Sequence, residues 1–282
     1  MSTPNSWKKR YGLWGVAIAT SLLVLLTQLP YIQAQNLEIA PENQESPAIS
    51  PELSSSLPSP QVHPLPPSLA QWQDTTNVGD YFSEVKPTPI GYLIWSQFPV
   101  KIYVEQPQNP TESPASRQRF QSWVQAVLQA VQEWSVYVPL KVVNQTQGAD
   151  ITILRSRPPL RTSIDPKTGR FNNIRARSAE ARYKFYLHSG NNSAQEVLSH
   201  QVTIELSPDQ TVDYTLATAR HEIGHALGIW GHSPLQTDTM YYSQVRNSPQ
   251  ISIRDINTLK RIYQQPTRVG WPLPFVSPSN LP

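Results

Sequence analysis

The 282-residue chain contains no cysteine. Disulfide staples, cysteinate metal sites and thiol chemistry are therefore excluded, and any bound metal must be held by nitrogen and oxygen. Glycine is also scarce, 11 residues against 28 prolines, an imbalance that marks part of the chain as spacer outside any core. No acidic residue occurs before Glu38, and Lys8, Lys9 and Arg10 in that stretch account for the whole formal charge of +3. The remainder is neutral, so the sequence pI of 9.0 is no argument for a nucleic acid as partner.

The three basic residues precede an apolar run from Leu13 to Leu26, the order of charge and hydrophobicity found in export signals. Residues 1–34 are read as a signal peptide or, if uncleaved, as a membrane anchor through residues 11–34. Either makes the protein secreted or extracytoplasmic. Residues 35–70 are rich in Pro, Ser, Gln and Glu without an apolar period, and are expected to form a disordered spacer. Residues 71–270 are expected to form the folded domain, and 271–282 a Pro-rich tail.

Within the domain, Val100, Ile102 and Val104 alternate with polar or amphipathic neighbours, as in a half-buried strand. Residues 140–144, 149–156, 182–188 and 200–207 read as four further strands. Phe120, Trp123, Val127, Val131 and Trp134 recur at three- and four-residue spacing, which predicts a helix over 114–134 with Ser113 or Ser116 as N-cap. Second and third helices are expected from about residue 213 and over 254–265. The order of elements predicts an α+β fold with a mixed five-stranded sheet and three helices.

Half of the six histidines fall in one stretch, 221-HEIGHALGIWGHS-233. On a helix, residues four apart lie above one another, so His221 and His225 can share one ion. Glu222 points to the neighbouring sector, where its carboxylate can act as general base toward a water. Zinc suits neutral imidazoles, and a catalytic site takes three protein ligands. His232 is the candidate third ligand, with Gly228 turning the chain back and Asp238 a poorer substitute.

The pattern His221, Glu222, His225, Gly228, His232, Ser233 and then Met240 resembles the metzincin clan of zinc endopeptidases, and most closely the matrixin (matrix metalloproteinase) catalytic domain. Upstream, 149-ADITI-153 is similar to that family's strand after its first helix, and 251-ISIRDINTLKRIY-263 to its closing helix. The resemblance covers about residues 95–265. It implies one catalytic zinc on His221, His225 and His232, Glu222 as general base, Met240 as an apolar base beneath the imidazoles, and a protein or peptide substrate laid along an exposed strand at 182–188.

Three departures stand out. The family places its third histidine three residues after the glycine, whereas Gly231 occupies that position here and His232 follows it. Gly231 is expected to form a bulge that returns His232 to the metal. The segment 155–182, where matrixins carry structural ions, has no histidine and only Asp165 and Glu180 as acids, so a structural zinc is not expected and calcium is unexpected. A cysteine latch on the zinc is excluded by composition.

Two other readings are carried forward. One is a catalytically inactive, zinc-holding binding module on the same fold. The other is an envelope-anchored protein that takes acidic polysaccharide on the basic 155–182 segment, which has eight lysines and arginines. His188 and His200 are read as surface residues at strand ends, and His63 as exposed. Asp255 is read either as a helix-start acid or as a group buried against the methionine turn.

Overall fold

The computed structural model describes residues 57–160, 168–169, 177–189 and 195–274. The segment 1–34 read as a signal peptide or anchor, the expected spacer up to residue 56, most of the basic segment between 161 and 176, and residues 275–282 of the expected tail lie outside the described residues.

Five strands form one sheet in the order β2-β1-β3-β5-β4. They are β1 (Val100–Val104), β2 (Leu140–Val143), β3 (Ile151–Leu154), β4 (Ala179–Ser189) and β5 (Glu196–Leu206). β1 runs parallel to β2 and β3, and β3 parallel to β5. β4 is antiparallel to β5, in unbroken register from Ala179↔Leu206 to Ser189↔Glu196. The sheet is therefore mixed, as expected, with β2 and β4 as its outermost strands on the described residues.

Among the described residues a fourth, short helix accompanies the three expected ones. The helices are α1 (Pro67–Gln71), α2 (Pro114–Ser135), α3 (Val212–Ala226) and α4 (Ile253–Tyr263), with a single 3-10 turn at Phe82–Glu84. None of the described helices is long and apolar enough to cross a membrane. Ser113 is the N-cap of α2, its side chain accepting from Ser116 N at 3.2 Å, with Pro114 in the first helical position where its missing N–H costs nothing. The predicted apolar stripe of α2 faces the sheet, with Trp134 fully buried and its indole N–H donating to Arg220 O of α3 at 2.9 Å. A bidentate ion pair between Arg220 and Glu133 joins the same two helices. Truncating Trp134 to alanine would cost about 3–5 kcal/mol and would loosen the helix that bears the histidines.

Part of the expected spacer belongs to the domain. Leu57 and Leu69 are buried, and Gln61 exchanges both main-chain hydrogen bonds with Thr267, at 3.0 and 2.9 Å. His63 is not a free surface residue: it stacks on Trp271 at 4.2 Å, and its Nε2 lies 2.8 Å from Val269 O. The reason is that a proline-rich segment without internal period can still be ordered when a distant segment pairs with its backbone. The ordered domain thus reaches back at least to residue 57.

His200 also departs from expectation. β5 begins four residues earlier than predicted, so His200 lies inside the strand, 2% exposed and stacked on Trp95 at 4.0 Å. His188 remains near the end of β4, with Nε2 2.9 Å from Ser199 Oγ.

Candidate metal centre

The sheet delivers the chain to α3, which runs back across it and ends at Ala226. Thr211 caps its start, accepting from Tyr214 N. His221 and His225 project from adjacent turns with ring centroids 4.7 Å apart. The chain then turns at Gly228, whose φ of +128° is reserved for glycine and where a Cβ would sit 2.7 Å from Leu93 O. His232 comes back to within 5.2 Å of the His221 ring and 5.0 Å of the His225 ring. One ligand nitrogen from each of the three lies within 4.8 Å of the other two.

The one-residue offset is accommodated by packing. Gly231 does not adopt positive φ, contrary to the expected bulge. Its backbone instead lies against Glu84 and Val85, so close that a Cβ would be 2.3 Å from Glu84 O and 3.0 Å from Val85 Cα. The missing side chain, not the unusual dihedral, is what lets the longer loop fold inward.

The imidazoles are set up as neutral donors of a lone pair. His221 Nδ1 is 2.9 Å from Thr239 O and His225 Nδ1 is 2.7 Å from Ile229 O. A carbonyl only accepts, so the proton sits on Nδ1 in both rings and Nε2 is left with its lone pair. The Nε2 atoms of His221 and His232 are buried and have no hydrogen-bond partner. Burial lowers the His221 pKa to about 4 and that of His232 to about 3, and it drives His225 well below the ordinary value. Neutral, converging, unpartnered nitrogens match what zinc requires, and as plain hydrogen-bonding groups they would be a cost. The residues present therefore fit the ion.

Around them, Glu222 is buried on the same turn as His221. Met240 is fully buried, with Sδ against Gly224: a Cβ there would lie 2.3 Å from the sulfur. The thioether thus underlies the helix between the two histidines. Asp238 is not part of the cluster, because its Oδ2 accepts from Ser233 Oγ at 2.5 Å and Arg254 Nε at 3.0 Å. Ser233 N donates to Met240 O at 2.8 Å and ties the last histidine to the methionine turn.

Both readings of Asp255 hold together. It forms a capping box with Ser252 at the start of α4, and its carboxylate accepts from Thr239 N at 2.9 Å and Met240 N at 3.4 Å. Tyr81 donates its phenolic proton to the same carboxylate at 2.5 Å. A chain of contacts thus runs Tyr81, Asp255, Thr239, His221. Sequence reasoning missed Tyr81, which lies 174 positions from its partner and belongs to no local motif.

The fold and this three-histidine centre define a metallopeptidase-type domain. The Matrixin family profile matches residues 109–264, more than half of the chain, while no curated protein sequence matches. The chain belongs to the matrixin family, a family of zinc metallopeptidases.

Proposed function

We propose that the chain is a zinc-dependent endopeptidase. The observation that carries this is the convergence of His221, His225 and His232, with the Nδ1 protons of His221 and His225 fixed on carbonyl groups and the buried Nε2 atoms of His221 and His232 left unpartnered. These three residues would hold the zinc through nitrogen. When bound, the ion supplies Lewis acidity toward a water and the scissile carbonyl.

Glu222 is placed one residue past His221 to act as general base. It takes the proton of the attacking water as the new C–O bond forms, and returns it to the amine as the C–N bond breaks. The family's ordinary substrates are peptides, and β4, an outermost strand of the sheet, is the candidate strand for an extended chain to lie along. Trp230 excludes water from one side, stacked on His225 at 5.7 Å and met edge-on by Tyr183 of β4 at 4.9 Å.

Zinc analysis and a casein or gelatin assay on purified protein test the proposal. Glu222→Ala is expected to retain stoichiometric zinc and lose hydrolysis by at least about a hundredfold. Zinc-free wild type, or undiminished hydrolysis in Glu222→Ala, would refute it. A zinc-loaded wild type that cleaves nothing would identify an inactive binding module.

A further inference from the structure

A cavity of about 660 Å³ lies beside the starts of β1 and β3, away from the three histidines. Trp95 and His200 form part of its wall, Lys101 and Asp150 contribute from the starts of β1 and β3, and Lys184 and Tyr186 from β4. His200 is 2% exposed, and neither of its ring nitrogens has a partner. A buried, unpartnered imidazole costs free energy unless something complements it.

The main chain is open at the same place. Val202 N donates to Asp150 O at 2.9 Å, whereas Gly270 N donates to Leu198 O and Leu273 N to Glu196 O, both at 2.8 Å. β5 is in regular register throughout, so successive residues send their main-chain groups to opposite sides, and residue 200 sends its own to the same side as 198 and 202. Above this point β3 covers the edge of β5, and below it the segment 270–273 does. His200 sits in the gap between them.

We infer that this cavity binds a short peptide carrying a carboxylate. The main-chain N–H and C=O of His200 offer a strand-like pair of hydrogen bonds, of the kind the 270–273 segment already uses on either side of Val197. Lys101 and Lys184 set two ammonium groups against one acid, and Asp150 already accepts from Lys101 N at 2.7 Å. Trp95 links the cavity to the metal centre, since its indole N–H donates to Ala226 O at 2.8 Å, one residue beyond His225. The proposed peptidase activity is invoked only as the source of such peptides, and binding can be tested without it.

Full-length, zinc-loaded protein carrying Glu222→Ala is titrated calorimetrically with three acetylated tetrapeptides. The first has one aromatic residue and one glutamate and is amidated, the second has glutamine in place of glutamate, and the third has the C-terminus as its only carboxylate. At least one carboxylate-bearing peptide is expected to bind about tenfold more tightly than the glutamine amide; which one does so shows whether the side chain or the terminus is recognised. Lys101→Glu combined with Lys184→Glu should remove that advantage. Equal affinity for all three peptides, or indifference to the lysine reversals, overturns the inference. So does binding that a chelator abolishes, because the peptide then sits in the metal cleft. A wild type that binds the peptide but hydrolyses no protein would overturn the peptidase proposal alone.

Discussion

Replacing Gly231 with alanine tests how the longer loop reaches the metal. The added Cβ would lie 2.3 Å from Glu84 O, 2.9 Å from Glu84 C and 3.0 Å from Val85 Cα. The closest approach is about 1 Å short of an ordinary contact, and all three atoms are backbone, so no side-chain rotation relieves it. Either the 3-10 turn at 82–84 or the 229–232 loop must move. Overpacking of this kind costs about 1–3 kcal/mol, which for a domain of this size lowers the melting temperature by roughly 2–12 °C. His232 follows the loop, so zinc affinity should fall by about ten- to a hundredfold, the range seen when a ligand loses its support. Thermal unfolding of metal-free protein gives the first quantity, and chelator competition the second. Deleting Gly231, which restores the family spacing, should be at least as harmful. An alanine variant with unchanged melting temperature and zinc affinity would refute the close-packing account, and a deletion that tightened zinc binding would show the loop to be a defect.

Two further predictions concern groups away from the ligands. His200 is buried and its pKa is lowered to about 3 from 6.5 by desolvation, so the unfolded chain takes up the proton first, and stability falls as pH drops from 6.5 toward 3. At pH 5 this amounts to about 2 kcal/mol. Relative to wild type, His200→Phe should gain that amount between pH 7 and pH 5 in denaturant titrations, and a pH-independent difference would contradict the assignment. Tyr81→Phe removes one donor from the buried Asp255 carboxylate, at an expected cost of about 1–3 kcal/mol. Because Asp255 also holds Thr239, whose carbonyl fixes the His221 tautomer, zinc affinity should weaken several-fold. Unaltered unfolding and zinc titration curves would remove Tyr81 from the support of the site.

Much of the fold and most of the site were legible locally. The period of α2, the alternation in β1 and the helical spacing of His221, Glu222 and His225 are all short-range patterns that the tertiary structure did not override. Asp255 was legible for the same reason, as a helix-start acid in a recognisable closing segment. What escaped was long-range. His200 was misplaced because β5 extends upstream of its most apolar stretch, and burial of a neutral imidazole against Trp95 leaves no periodic trace. The order of residues 57–71 depends on partners about two hundred positions away, which no window of sequence contains. Gly231 was recognised as important for the wrong reason: composition shows that a glycine is there, but only the approach of Glu84 shows that its value is steric.

The mutual pairing of Gln61 and Thr267 has a consequence for biosynthesis. A chain is made from its N-terminus, so the histidine-bearing helix is complete before residues 267–273 have been added. Until then Gln61 has no backbone partner and His63 no Trp271 to rest on, and one flank of the sheet stays uncovered. The last-made segment of the domain secures the first-made one, and assembly of the domain finishes only after translation has passed all three histidines of the candidate metal centre.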